Sequence, residues 1–198
     1  MKCQGYVCII FLVCLAASVV VADAISGEEK DKAKLSEQTV VVEAYLLQVR
    51  TEALYSKGSA AVPMKKKERV TLLKLLWCLT DPNNGQVITA ARTSARSGNK
   101  ASTGTRRKQV IGKDMYTNNT SFETANHLWP DGRISVKYAL QLNAVDPIAP
   151  VSEGLPISMI SHNTQSEIIL KPQVATIVGS SQIGDTALFL VMYTEVLK

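Results

Sequence analysis

The chain has 198 residues, 46% of them hydrophobic and 20% charged, with 22 basic residues against 17 acidic for a formal net charge of +5. These totals exclude a wholly disordered chain, a collagen-like repeat and a polytopic membrane protein. They allow one sizeable core, and a mild basic bias does not by itself name a partner.

The first element is a targeting segment. Lys2 precedes an uncharged apolar run from Tyr6 to Ala22, followed by the small-x-small site Ala22-Asp23-Ala24. A positive start, an apolar middle and a small-residue exit predict a secretory signal peptide over residues 1–24. The run has 17 residues, short of the roughly 20 that span a bilayer, so cleavage is expected over retention as an anchor. Cleavage removes Cys3, Cys8 and Cys14 and leaves Cys78 alone, which excludes a disulfide framework and reads as a buried free thiol. It also removes Lys2 and Asp23, leaving 21 basic and 16 acidic residues on a chain of 174, still +5.

Residues 25–38 are charged, mixed in sign and poor in apolar groups, and read as a flexible leader before a domain over 39–198. Thr39–Arg50 is rich in β-branched and aromatic residues with apolar groups on both faces, which predicts a buried strand. Lys65–Leu79 places Val70, Leu73, Leu76 and Trp77 at helical spacing, and Asp81-Pro82-Asn83-Asn84-Gly85 stops that helix. Gln86–Thr93 reads as a strand.

Between Arg92 and Lys113 there are seven basic residues and no acidic one: Arg92, Arg96, Lys100, Arg106, Arg107, Lys108 and Lys113. Ser, Thr, Gly and Asn fill the gaps, so this stretch reads as a flexible, solvated basic hairpin. A single-strand nucleic-acid binder adds stacking aromatics to its basic groups, and this stretch has none, so nucleic acid is not an expected partner. An anionic surface polymer or lipid headgroup suits it better.

Asn118-Asn119-Thr120-Ser121 contains two overlapping glycosylation sequons, which matter only in a eukaryotic secretory pathway. Trp129-Pro130-Asp131-Gly132 is a turn. After it, Ile134, Val136, Tyr138, Leu140, Leu142 and Ala144 alternate with more polar neighbours, the period of an antiparallel strand with one wet face. Residues 146–161, with Pro147, Pro150 and Pro156, read as a loop. Ser166–Leu170, Val174–Val178 and Thr186–Leu197 read as closing strands. The whole predicts an α+β fold dominated by β, mostly antiparallel, with one short helix.

Catalytic signatures are weak. His127 and His162 lie 35 residues apart with no carboxylate at ligand spacing, so no metal site is expected and each reads as a surface or loop residue. Gly179–Thr186 imitates a phosphate loop in its glycine spacing, but Asp185 stands where the lysine belongs and a strand follows, so it reads as a turn. No cofactor and no enzymatic activity are expected.

The order of these pieces resembles the C-terminal domain of the secretins, outer-membrane channels of bacterial secretion and pilus systems. Val40–Val49, with its Val-Glu-Ala core, is similar to the family's opening strand, and Lys65–Leu79 with Val87–Arg92 to the helix and strand that follow. Ser97-Gly-Asn-Lys-Ala101 and Val110-Ile-Gly112 resemble the next turn and strand, and Trp129-Pro-Asp-Gly-Arg-Ile-Ser-Val136 the turn and strand beyond. Ile168–Gly179 resembles the following strand pair, and Asp185–Leu197 the closing strand. The sequence departs from the family pattern at Ala91, Pro172, Ser180 and Glu195.

The resemblance implies a secretin-like sheet, completed by neighbouring copies in a homo-oligomer at or near an outer membrane. It implies a structural or transport role without the N-terminal periplasmic domains, and places Arg92–Lys113 where the family has its inner gate, facing a water-filled lumen. Exported localisation in the periplasm or outer membrane follows if the source is bacterial, and secretion otherwise. The alternative is a monomeric β domain that recognises an anionic ligand through residues 92–113.

Overall fold

The computed structural model describes residues 37–55, 70–111, 113–147 and 157–197. The expected signal peptide, nearly all of the leader, the Lys65–Arg69 part of the expected helix and most of the proline-containing loop lie outside the described residues. Ten elements follow in order: β1 (Thr39–Arg50), α1 (Thr51–Tyr55), α2 (Leu72–Cys78), β2 (Gly85–Arg96), β3 (Lys100–Ile111), β4 (Asp114–Leu128), β5 (Ile134–Val145), β6 (Met159–Leu170), β7 (Thr176–Ile183) and β8 (Thr186–Leu197). They form two four-stranded antiparallel sheets, ordered β2-β1-β8-β7 (sheet A) and β3-β4-β5-β6 (sheet B). The β-dominated, antiparallel α+β class read from the sequence is the class observed, with two short helices among the described residues in place of one.

Sheet A is the middle layer, which explains why β1 and β8 are apolar on both faces. One face sends Val42, Ala44, Leu46, Leu190 and Met192 into a cluster with Phe122, Ile134, Val136 and Leu140 of sheet B. The other sends Leu47, Val49, Phe189 and Val191 against Leu54 of α1 and Leu75 and Cys78 of α2. Sheet B is an outer layer, so β5 has one wet face. All six expected inward residues of β5, from Ile134 to Ala144, are buried.

Helix α2 is shorter than the sequence predicts, and its buried face is different. Thr71 is extended at φ −100° and caps the helix, its Oγ1 accepting from the Lys74 N–H at 3.3 Å. The buried stripe is Leu75 and Cys78, flanked by Leu72 and Leu79, while Leu73 is 78% exposed and Trp77 51%. Leucines at 72, 73, 75, 76 and 79 supply two possible stripes over two turns, and docking on sheet A selects between them. The buried Cys78 thiol agrees with the sequence reading. Burial raises its pKa above the ordinary thiol value, opposed by the nearby Lys74 charge.

The stretch 92–113 is not a flexible hairpin. It forms the end of β2, a tight turn at Ser97-Gly98-Asn99, and all of β3. Gly98 takes φ +89°, a left-handed conformation suited to glycine, and its N–H donates to the Asn126 carbonyl at 2.6 Å. Ser97 Oγ accepts from the Leu128 N–H at 2.9 Å. The chain thereby leaves sheet A and enters sheet B.

Strand β4 is absent from the sequence reading because its inward residues include Thr124 and Asn126 between Phe122 and Leu128. The expected 146–161 loop ends early, because β6 begins at Met159, and the expected strand at 174–178 occupies 176–183. The glycine-spaced segment 179–186 contributes only Gly184-Asp185 as a turn, with Gly184 at φ +59°.

Two hydroxyl pairs fix how the sheets stack. Thr89 and Thr120 oxygens lie 3.0 Å apart, and those of Thr93 and Thr124 2.9 Å. Strand β2 therefore lies over β4, one strand in from the edge, and β3 supplies no residue to either apolar cluster.

Candidate assembly margins and a polar sheet face

Both sheets are open among the described residues. β2 and β7 are the free edges of sheet A, and β3 and β6 those of sheet B. A free edge presents a row of unpaired backbone N–H and C=O groups, a template for another strand. Three of these edges are twelve residues long. The sequence carries no direct signal of edge position, which is a property of the sheet order.

Register places the seven basic residues on different surfaces. Arg92 pairs with Glu43, and its Nη1 lies 3.6 Å from Glu43 Oε1. Arg92 and Arg96 thus share the face of sheet A that α1 and α2 partly cover, opposite the core that Val42 and Thr93 enter. On β3, Thr103 lies beside inward-facing Phe122, so Lys100, Arg106 and Lys108 point to the outer face of sheet B and Arg107 to the inner side. All seven are exposed. The structure brings Arg92 and Arg96 together, and separately Lys100, Arg106 and Lys108 along one strand, but not all seven into one patch.

Glu43 organises the exposed part of sheet A. It accepts a hydrogen bond from the Tyr45 hydroxyl at 2.7 Å and faces Tyr193 across the strand pair. Burial raises the Tyr193 pKa above the ordinary phenol value, and the negative charges of Glu195 and Glu43 add to it. Asn118, the first residue of the paired sequons, is engaged twice: Oδ1 accepts from the Val145 N–H at 2.9 Å and Nδ2 donates to Gln109 Oε1 at 3.1 Å.

The outer face of sheet B holds an open basin of about 600 Å³, lined by residues from β3 to β6. Two adjacent cross-strand rows build it. Arg106, Asn119, Asn143 and Ser161 form one, and Gly104, Ser121, Gln141 and Asn163 the next. The sequence reading places Gln141 and Asn143 on the wet face of β5 and Asn119 and Ser121 in the sequons, but assigns a partner-facing role only to Arg106.

Both histidines are on strands. His127 is exposed on β4 and meets Trp129 edge-on at 5.4 Å. His162 is half-buried on β6, and burial holds its imidazole pKa below the ordinary value. Folding then favours the neutral ring. This contribution is complete above the unfolded imidazole range near ~6.5 and is lost as pH falls through it toward the folded pKa. Thermal melts from pH 8 to 5 are expected to show a fall in unfolding temperature that the His162→Gln variant reduces; identical profiles would refute the assignment.

No protein-family model matches the chain, and no curated protein sequence matches it. Among solved structures, the type II secretin GspD from enteropathogenic Escherichia coli is 7% identical with a TM-score of 0.46, over 86% of this chain and 72% of that one. The type III injectisome secretin InvG of Salmonella, in its open gate state, is 11% identical with a TM-score of 0.48, over 86% and 64%. The type IV competence pilus secretin PilQ of V. cholerae is 8% identical with a TM-score of 0.46, over 86% and 63%. The chain spans less than two thirds of the InvG and PilQ chains. Each of these three structures, to which the chain is similar at 11% identity or less, is a secretin.

Proposed function

We propose that the chain is an exported, non-enzymatic structural protein, a secretin-like core that acts as a subunit of an outer-membrane secretion or transport assembly. The observation that carries this reading is the pair of open four-stranded sheets, whose edges β2, β3, β6 and β7 have no strand partner among the described residues. Edge strands of twelve residues without proline are long for a protein that remains alone. The order of secretin-like motifs along the chain supports the same reading. Copies complete each other's sheets, and the closed product leaves no free edge.

Electron microscopy of detergent extracts tests the proposal directly. Ring-shaped particles are expected from the wild-type chain, and an exclusively monomeric protein would overturn the reading. The double variant Gln165→Lys/Ile169→Lys adds two cations to the exposed outer side of β6. Charged residues on an edge oppose strand addition. The variant is expected to remain monomeric with an unfolding temperature close to that of the isolated wild-type subunit. Rings formed normally by this variant would remove β6 from the assembly surface.

A further inference from the structure

We propose that the outer face of sheet B binds an acidic carbohydrate chain, held by the two polar rows with Arg106 as the site's anion-recognising group. The site is independent of assembly, and its test stands whether or not rings form.

The first argument is a local conflict with strand chemistry. Asparagine is disfavoured in strands, yet Asn119, Asn143 and Asn163 occupy three adjacent strands within two neighbouring rows. Gly104 completes the floor on β3. Its backbone is not left-handed, and a Cβ there would meet only the Thr120 carbonyl, at an ordinary 3.5 Å. The fold therefore does not require glycine at this position, and a glycine inside a strand weakens it. What the glycine does is leave the basin open. Departures from local rules that coincide in one place mark a functional site.

The second argument is hydrogen-bonding capacity. Among the described residues, the side chains of Arg106, Asn119, Ser121, Gln141, Asn143, Ser161 and Asn163 have no hydrogen-bond or ion-pair partner within the protein. Farther along the same face, beyond the row of Ser102, Glu123 and Gln165, Lys137 Nζ lies 3.4 Å from Glu167, which also accepts from Ser135 Oγ at 3.0 Å.

The third argument is ligand chemistry. Amides and hydroxyls donate and accept alike, as vicinal sugar hydroxyls do. Strands spaced roughly 4.8 Å apart present a new side chain for about every sugar ring of a chain crossing them. Among the described residues, Arg106 is the only Asp, Glu, Lys or Arg lining the basin, and a guanidinium meets a carboxylate with two parallel hydrogen bonds. A uronate-type sugar satisfies both features. A polyphosphate or nucleic acid would call for several cations spread across the strands, whereas Lys100 and Lys108, the other unpaired cations of this face among the described residues, lie on β3 with Arg106.

Calorimetric titration of the purified exported chain with oligogalacturonate and with a neutral cello-oligosaccharide tests the proposal. Both are expected to bind, the acidic chain more tightly. Asn119→Thr and Asn143→Thr remove amide hydrogen bonds and are expected to weaken both ligands by about tenfold. Threonine favours strands, so an unfolding temperature at or above wild type shows that the fold is intact. Arg106→Gln is expected to erase the preference for the acidic chain while retaining neutral binding, and Lys137→Gln, outside the basin, to change neither. Failure of the wild type to bind either sugar, unchanged binding by the asparagine variants, or acidic preference surviving in Arg106→Gln would each overturn the proposal.

Discussion

Truncation of Phe122 to alanine is expected to lower the unfolding free energy by about 3–5 kcal/mol, the range for a large aromatic removed from a core. Phe122 is fully buried on the inward face of β4, between Thr103 of β3 and Leu140 of β5. The size of the loss depends on whether the sheets can close over the cavity. Thr120 and Thr124, two residues to either side, are tied to Thr89 and Thr93 of the opposite sheet at 3.0 and 2.9 Å. These pairs hold the sheets at a set separation, which favours the upper part of the range. Urea unfolding should show a lower midpoint with an unchanged slope, since the surface exposed on unfolding is nearly the same. Phe122→Leu should recover most of the loss by refilling the space. A loss below about 1 kcal/mol in the alanine variant would mean that the sheets are not locked at this point.

The second large effect separates two leucines on one short helix. Leu75→Ala is expected to cost about 2–5 kcal/mol, because Leu75 is completely buried beside Cys78, Leu54 and Leu47. Leu73→Ala, at 78% exposure, is expected to stay within about 0.5 kcal/mol of wild type. Cys78 offers a second readout, as the only cysteine among the described residues. Its burial and raised pKa make native alkylation slow. Loss of Leu75 should speed thiol labelling by weakening the docking of α2 on sheet A, while loss of Leu73 should leave it unchanged. Equal effects at the two positions would contradict the observed orientation of the helix.

This pair also shows how far periodicity reaches. A leucine-rich helix is legible from its spacing, and the Asp-Pro-Asn-Asn-Gly stop places its end. The choice of buried face is made by sheet A, because a two-turn helix with leucines on two stripes has no preferred face of its own. The same limit applies to β3 and β6. β3 is mostly polar on both faces, and in β6 His162, Thr164 and Ser166 separate the core residues Ile160, Ile168 and Leu170, so only 166–170 reads as a strand; the strand character of the rest comes from backbone ladders to β4 and β5. Polar composition in residues 92–113 therefore reads as a solvated loop, although it forms parts of two ordered strands.

What the amino-acid order determined by itself is the β-dominated antiparallel class, strands β1, β5 and β8, the buried thiol, and an ordered set of secretin-like motifs. Those features depend on side-chain burial, which leaves a local pattern: two apolar faces for a strand in the middle layer, one for a strand in an outer layer. The tertiary structure alone decided where seven cations from one basic stretch end up. The Gly98 turn carries the chain from one sheet to the other, and side chains alternate along each strand. Arg92 and Arg96 consequently lie on one surface, and Lys100, Arg106 and Lys108 on another. It also decided that Arg106 joins three asparagines in a single basin, because cross-strand register aligns residues that are far apart in the chain.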